Sequence, residues 1–393
     1  MKDILIITNF ASTFSFSDND RFLYLANMLT DVAKVEIVTS DFCHEKKEHR
    51  YETENKWPFQ ITFLYEPGYR RNVCLKRFYS HLVWGNSIKD YLKTRKKPDV
   101  VYCAVPSLSG PAFLADYCRK NKIKFIVDIQ DLWPEAFRLI LDIPIISPAL
   151  FSPFSLLANK VYRNADEIVA VSETYVRRAL RVNKSVKKGH VVFLGTDIKV
   201  FDGYALKEVT IPKQNLWVGY CGTLGSSYDL TCIFDALDIL KHNGARVPTL
   251  IIMGDGPLKQ NFELYAEKKQ IDCIFTGRIP YDEMCALISR CDIAVNPIMH
   301  GAAQSIINKH ADYVASGLPI ISTQENEEFR NLIDQYAMGI NCSNDPSELA
   351  NAFSKIISDK ELRIELGKNA RRCAEERFDR RNTYQEIIKL ILS

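Results

Sequence analysis

Short apolar runs alternate with longer helical patterns along nearly the whole chain, and the alternation runs twice. The first series contains Ile4-Leu5-Ile6-Ile7, Val35-Glu36-Ile37-Val38, Val100-Val101-Tyr102, Phe125-Ile126-Val127 and Ile168-Val169-Ala170-Val171. A polar stretch from Asp197 to Lys213 intervenes. The second series then opens with Leu216-Trp217-Val218-Gly219-Tyr220 and continues through Leu250–Met253, Ile274-Phe275, Ile293–Val295 and Ile320-Ile321. Strands of near-continuous apolar character separated by helix-length segments belong to parallel sheets covered on both faces. The expectation is an α/β protein of two Rossmann-like, doubly wound domains, residues 1–205 and 206–375. Open sheets of this kind bind ligands beyond the carboxyl ends of their strands.

Composition agrees with two cores. A chain of 393 residues is longer than one core usually organises, and 47% hydrophobic with 25% charged residues describes a folded rather than a disordered chain. No run reaches the roughly 18 to 20 apolar residues a membrane span needs, and the amino terminus MKDILIITNF reads as a buried strand. A cytoplasmic location is expected. The eleven cysteines show no Cys-x-x-Cys pattern and no clustered histidines, so reduced core thiols are expected, with neither disulfides nor a metal site.

The net charge of +3 conceals an asymmetry, since through Gly195 there are 29 basic against 21 acidic residues. Much of the excess lies in residues 69–97, where Arg70, Arg71, Lys76, Arg77, Lys89, Lys93, Arg95, Lys96 and Lys97 face only Asp90 among aromatic and apolar residues. Two readings stand: a helix resting on an anionic membrane, making the protein peripheral on the inner face of the plasma membrane, or an ordinary helix with solvated lysines opposite its buried stripe. Nucleic acid is not expected as a partner, because no binding motif accompanies the charge.

The segment Asn296 to Ser322, NPIMHGAAQSIINKHADYVASGLPIIS, reads as a strand end, a loop, a helix beginning near Ser305 to Asn308, and a second strand after Gly317-Leu318-Pro319. Backbone N–H groups at such a helix start can hold a phosphate. Lys309 and Asp312, three apart, share a helical face: an ammonium for phosphate and a carboxylate to accept from paired hydroxyls. A nucleotide offers both. The plainer reading is a solvated ion pair.

This segment resembles the donor-nucleotide helix of retaining glycosyltransferases of the GT-B fold, family 4 type, the group that builds bacterial polysaccharides and lipid-linked oligosaccharides. Lys309, Asp312, Tyr313, Ala315, Gly317 and Pro319 carry the likeness. IIMGDGPLKQNFELYA with Gly254, Asp255, Gly256 and Pro257, then FTGRIP with Gly277 and Arg278, are similar to the strand-turn-helix and nucleobase loop of that family. So, in order, are VDIQDLWPEAF (Gln130, Asp131, Trp133, Pro134), ADEIVAVSETYVRRAL (Ala165, Asp166, Ser172) and VVFLGTDIKVF (Gly195, Asp197, Phe201). Bland roles are available too: Ser172 as a helix cap, Asp131 as a turn former, Gly254 and Gly256 as turn residues. The final helical pattern resembles the carboxyl segment, residues 376–393, that in this fold crosses back to the first domain.

Departures accompany the likeness. Where many members carry two glutamates eight apart, this chain has Gln304 and Asp312; the Arg/Lys diphosphate clamp is replaced by Thr223 and Tyr228, and the catalytic-loop histidine by Gln130. The resemblance implies transfer of a sugar from a nucleoside-diphosphate sugar to a hydroxyl of a saccharide acceptor, lipid-linked in this type, with retention and without metal or other cofactor. Lys309, then Arg278, would supply charge to the diphosphate. Gly222, Thr223, Gly225, Gly254, Gly277, Gln304, Ser305 and Asn308 would line the donor. Asp312, Gln130 and Asp131 would complete the catalytic set, and Asp18 and Asn19 would lie on the acceptor side. Backbone around Thr276 to Pro280 would hold the base, with a UDP-sugar expected ahead of a GDP-sugar. Asp18-Asn19-Asp20 matches a metal-binding Asp-x-Asp but is better explained by Ser17 or Asp18 capping a helix over Phe22 to Leu29.

Three alternatives remain open. A sugar-nucleotide epimerase of the same architecture would use titratable acids and histidines, and of seven histidines only His310 falls in a matched segment. A dinucleotide oxidoreductase lacks its Gly-x-Gly-x-x-Gly after the first strand, where Thr8–Thr13 reads TNFAST. A non-catalytic partner subunit could keep the fold without the clamp.

Overall fold

The computed structural model describes residues 1–11, 14, 19–51, 57–72, 74–138, 146–302 and 305–393. The chain divides into two compact units, one of residues 1–193 with 383–393, the other of residues 194–382.

The first unit contains, in order, β1 (Lys2–Thr8), α1 (Arg21–Leu29), β2 (Ala33–Ser40), a hairpin of β3 (Phe42–Cys43) and β4 (Glu48–His49), β5 (Gln60–Leu64), α2 (Leu75–Thr94), β6 (Val100–Val105), α3 (Ser109–Asn121), β7 (Lys124–Ile129), α4 (Glu135–Arg138), α5 (Ile146–Arg163), β8 (Glu167–Ala170), α6 (Glu173–Leu180) and β9 (His190–Val191). The sheet order is β5-β2-β1-β6-β7-β8-β9, every pairing parallel. Alternate residues of β1 serve opposite faces. Leu5 and Ile7 join a core with Trp84 and Ile88 of α2 and Leu114 of α3, whereas Ile4 and Ile6 pack with Leu25 of α1 and with Tyr384, Ile387 and Ile391 of the final helix. A strand buried on both faces has no polar alternation, which is why the run reads apolar throughout.

Helix α1 is capped by Asp20, whose carboxylate accepts from Phe22 and Leu23 N–H at 2.7 and 2.9 Å. The expected cap at Ser17 or Asp18 is therefore two or three residues too early, and no acidic residue occupies the first turn; Asp18 and Ser17 lie outside the described residues. Ser172 does cap α6. Beneath α1, Arg21 forms a fully buried fork with Asp128 (2.7 and 3.2 Å) and donates to the Val192 and Phe193 carbonyls and the Tyr384 hydroxyl. One guanidinium thus ties β7, the end of the first series and the returning carboxyl helix into one core.

The second unit contains α7 (Ile198–Ala205), β10 (Trp217–Cys221), α8 (Leu230–His242), β11 (Thr249–Met253), α9 (Lys259–Lys269), β12 (Cys273–Gly277), α10 (Tyr281–Ile288), β13 (Ile293–Asn296), α11 (Asn308–Ala315), β14 (Ile320–Ser322), α12 (Glu327–Tyr336), β15 (Gly339–Asn341), α13 (Pro346–Ser358) and α14 (Lys360–Cys373), with α15 (Arg380–Leu392) returning the chain to the first unit. Its sheet is again all parallel, in the order β12-β11-β10-β13-β14-β15. The division falls at Leu194, ahead of the expected 205/206, because α7 buries Ile198 and Phe201 and packs on α10, so the polar stretch follows the crossover instead of marking it. Likewise residues 376–382 belong with the second unit, where Thr196 N–H bonds the Phe378 carbonyl at 2.9 Å and Arg380 Nε the Leu194 carbonyl at 2.8 Å.

All eleven cysteines are free thiols, nine of them buried. Among the described residues no helix is long and apolar enough to cross a membrane.

Candidate functional site in the second unit

In this sheet the strand order reverses between β10 and β13, so the loops leaving their carboxyl ends diverge and open a crevice. Tyr313 of α11 sits beneath it, its hydroxyl accepting from Cys221 N–H and donating to the Val295 carbonyl, both at 3.1 Å. It joins the two strand ends that part there.

The loop after β10 is stitched to the loop after β11 by Gly222 N–H to the Met253 carbonyl and Leu224 N–H to the Asp255 carbonyl, each 2.9 Å. Gly254 is required by this approach: a Cβ on it would overlap the Gly222 carbonyl oxygen. The expectation that Gly254 and Gly256 serve as turn residues is corrected, since neither has positive φ and each is pressed instead against the backbone of the first loop. Gly277 bridges to Gly254 from the end of β12. Gly222 itself has φ of +137°, and a Cβ there would lie 2.8 Å from Lys309 Nζ.

Lys309 reaches this floor from the first turn of α11. It is 6% exposed. Its Nζ lies 3.7 Å from the centre of the Tyr228 ring and 4.1 Å from that of Tyr220, and it has no hydrogen-bond partner among the described residues. Burial pulls the ammonium down to about 7. The two ring faces offset part of the cost of desolvating it, at about 0.5 to 2 kcal/mol each, but among the described residues no carboxylate pairs with it. At the start of α11 no N-cap side chain bonds the first turn; the His310 N–H meets the Ile307 carbonyl at 3.1 Å and the His310 ring accepts from Ile307 N–H. Tyr228, standing where related sequences carry the clamp, flanks Lys309 instead of replacing its charge.

Asp312, one turn on, is 7% exposed and accepts from the Tyr281 hydroxyl at 2.9 Å, which in turn meets the Thr196 hydroxyl at 2.8 Å. Burial raises its carboxyl to about 7. Both groups are desolvated and no ion pair joins them, so the solvated i,i+3 pair is excluded.

The loop entering α11 is held from below. Asn296 Nδ2 lies 3.2 Å from His310 Nε2, 3.1 Å from Ser322 Oγ and 3.0 Å from Gln324 Oε1, while Gln324 Nε2 donates to the Ser305 carbonyl at 2.6 Å and Ile307 N–H to His310 Nδ1 at 3.3 Å. Ser305 is buried, its hydroxyl donating to Glu328 at 2.7 Å, so it organises the loop from inside. Asn308 opens α11 on its exposed side, Thr223 and Arg278 are exposed, and Gly225 is half-buried. Gln304 lies outside the described residues.

In the first unit Gln130 and Asp131 follow β7. Gln130 Nε2 lies 3.4 Å from Asp128, and Asp131 accepts from Leu132 N–H at 2.8 Å and from the Trp133 indole at 3.2 Å. Burial raises the Asp131 carboxyl. Asn19 adjoins the α1 cap, and Asp18 lies outside the described residues.

Sequence reading passed over Tyr220, Tyr281, Asn296 and Gln324. Each acts through a neighbour distant in the chain, and no local pattern announces that.

The geometry defines the class. Two all-parallel doubly wound sheets on one chain, the second with a glycine-floored, cation-bearing crevice at its switch point, make the GT-B fold of glycosyltransferases, and residues 205–373 match the family model described as glycosyl transferases group 1. Among curated proteins, an uncharacterized glycosyltransferase of Methanocaldococcus jannaschii is 22% identical over 235 residues, a match spanning 58% of this chain and 59% of that relative. Among solved structures, Anabaena HepE in complex with UDP and glucose superposes with a TM-score of 0.69 at 15% identity, covering 100% of both chains. Sucrose-phosphate synthase of Thermosynechococcus elongatus gives a TM-score of 0.75 at 15% identity over 99% of this chain and 98% of that one.

Proposed function

We propose that the protein is a glycosyltransferase that takes a sugar from a nucleoside-diphosphate sugar and passes it to a hydroxyl of a saccharide acceptor. The observation that carries this reading is Lys309, a buried ammonium with no counter-charge among the described residues, set over a backbone floor of glycines at the switch point of the second sheet. Burying a cation unpaired is costly unless a ligand supplies the missing charge. A diphosphate does so: its oxygens take Lys309 and N–H groups at the start of α11, while Asp312 accepts from ribose hydroxyls.

In this reading the donor's sugar–phosphate bond breaks as the acceptor oxygen attacks, and charge gathers on the departing diphosphate. Lys309 and the backbone donors stabilise that charge most when it is greatest, which lowers the barrier. They do so without calling on a divalent ion or other cofactor. Retention follows the family 4 resemblance, with the leaving phosphate accepting the acceptor proton. To Asp131, whose carboxyl is raised by burial, we assign the orienting of that hydroxyl. The nucleotide is proposed to be UDP, as Anabaena HepE holds UDP.

A lipid-linked acceptor on a membrane surface, in cell-surface polysaccharide synthesis, is the finer proposal. It is supported by Leu75, Tyr79 and Leu82 of α2 and Leu156 of α5, which are 86%, 59%, 54% and 67% exposed, with Phe78 and Phe154 packed between the two helices at 4.8 Å. Exposed Arg70, Arg71 and Lys76 adjoin. Such an apolar patch with a basic rim suits an anionic lipid interface. Within residues 69–97 Trp84 and Leu92 are core, as the ordinary-helix reading has them, and Arg95 is engaged by Asp3 and Glu36 at 2.7 Å each, so none of the three belongs to the exposed patch.

An epimerase would need His310 as an acid or base, but its ring is stacked 3.4 Å on Phe329 and bonded within the loop-supporting network. The deciding experiment is a thermal-shift screen with UDP, GDP and their sugars, followed by donor hydrolysis. A ligand at 100 times its dissociation constant adds about 2.7 kcal/mol of stability. Absence of a shift with every nucleoside diphosphate sinks the reading; UDP binding without hydrolysis or transfer identifies a non-catalytic subunit.

A further inference from the structure

The first unit holds two more cations, half-buried, with no carboxylate in ion-pair contact among the described residues. Arg77, in the first turn of α2, places its guanidinium carbon 4.5 Å from the centre of the Trp133 ring and 5.5 Å from those of Phe10 and Tyr69. Nη1 donates to the Asn72 carbonyl at 2.8 Å. Nε is buried and has no acceptor, and among the described residues no carboxylate lies within the 4.0 Å of an ion pair. The acids nearby are engaged elsewhere: Glu66 accepts from Asn9 and Ser80 at 2.8 Å each, and Asp131 from Leu132 and Trp133.

Lys47 Nζ lies 4.8 Å from the centre of the Tyr69 ring, 2.6 Å from Asn72 Oδ1 and 3.3 Å from His44 Nδ1, with no carboxylate partner among the described residues. The histidines add no charge. His81 is 3% exposed, stacks on Trp133 at 5.6 Å and has its Nε2 3.9 Å from Glu66 Oε1, beyond hydrogen-bond reach; His44 Nδ1 lies 2.6 Å from the Tyr69 hydroxyl. Burial first, then the neighbouring cations, pushes both down to about 3. Burial likewise lowers both Arg77 and Lys47.

These residues come from the carboxyl ends of the sheet. Phe10 follows β1, Lys47 lies in the hairpin after β2, Tyr69 follows β5 and Trp133 follows β7. That is where an open parallel sheet takes its ligand. Arg77 Nε, buried and without an acceptor, keeps an N–H for a phosphate or carboxylate, while the guanidinium also bonds the Tyr69 side chain.

We propose that Arg77 and Lys47 form an oxyanion site on the first unit, which holds a phosphate or carboxylate group carried by the acceptor. The assignment to the acceptor rests on the glycosyltransferase reading; the anion site itself does not. One chemistry has two sources here, the phosphate of a lipid-linked saccharide or the carboxylate of a uronic acid.

The test is calorimetry on the full-length protein with saturating UDP, so that the crevice of the second unit is filled. Methyl phosphate and methyl glucuronide are the anionic probes, and methyl glucoside is the neutral control. The expected result is binding of one anionic probe, which one telling the source, and not of the glucoside. Arg77→Gln should weaken it about tenfold or more, the scale of a charge-assisted pair, and Arg77→Lys should recover only part because it lacks the Nε N–H. Lys47→Gln provides a second variant should Arg77→Gln not fold. Anion binding that is absent in the wild type, or unchanged in Arg77→Gln, overturns the inference. UDP heat without anion heat leaves the glycosyltransferase reading intact; anion heat that depends on Arg77, without any UDP heat, leaves the anion site and removes that reading.

Discussion

If a diphosphate supplies the charge that Lys309 lacks, nucleotide binding must be coupled to a proton. Free Lys309 titrates near 7 instead of its ordinary 10.5, because burial disfavours the ammonium. A bound diphosphate favours the ammonium and moves the value back up. The sign follows: below about pH 7 the free protein already carries the charge and affinity is flat, whereas above it each binding event must also recruit a proton. At about pH 9 roughly 1% of free Lys309 is charged, so binding should be about a hundredfold weaker than at pH 6, about 2.7 kcal/mol. Asp312 also titrates near 7, so the cleanest window is roughly pH 8 to 9, where it is already ionised and Lys309 is the group left to respond. Calorimetry of UDP in buffers of different ionisation enthalpy should show uptake of close to one proton (~1) there. Lys309→Met should abolish the uptake and weaken binding at pH 7 by about 1.5 to 3 kcal/mol. A flat affinity between pH 7 and 9, with heats independent of buffer, refutes the placement of the diphosphate on Lys309.

The same geometry has further consequences. Asp312→Asn keeps an acceptor for ribose and for Tyr281, so it should reduce UDP affinity less than Asp312→Ala; equal losses by titration would remove Asp312 from the nucleotide. Without ligand, Lys309→Met should raise thermal stability below about pH 7, since the unfolded chain holds a proton that the buried amine gives up between 7 and 10.5. A lower melting temperature there would show that the ammonium is already compensated. Asp128→Asn strands the buried Arg21 guanidinium and should cost about 3 to 5 kcal/mol in denaturant unfolding; a loss under about 1 kcal/mol would mean that the carbonyls around Arg21 suffice. Replacing Arg70, Arg71 and Lys76 by glutamine should reduce sedimentation with anionic vesicles, each charge being worth about 1 kcal/mol at such a surface, while Lys93 and Lys96 should matter little. Unchanged sedimentation would leave the α2 face as ordinary solvated surface.

Much was legible in the chain because it is local. Each strand of the two alternating series is a run buried on both faces, and the rule that parallel strands need helical crossovers turns those runs into two doubly wound sheets. Lys309, Asp312 and Gly222 could be named because the loops at a strand's carboxyl end are where such sheets bind ligands. The strands that escaped were β5, a half-exposed edge, and the very short β3, β4, β9 and β15, which carry no pattern long enough to read. The α1 cap was misplaced because three candidate side chains stood within four residues, and only backbone direction selects Asp20.

What the linear sequence could not decide is electrostatic state. A lysine three residues from an aspartate is by pattern a solvated ion pair; tertiary packing instead sets the ammonium between two tyrosine rings and the carboxylate against Tyr281, both out of water and apart. Nor does the arginine count of residues 69–97 separate Arg95, locked to Glu36 and Asp3, from Arg77, which faces three aromatic rings and ion-pairs with no acid among the described residues. Periodicity reports which face of an element is buried. The dielectric and the partners a charge meets there depend on residues a hundred positions away, and so only the folded chain assigns them.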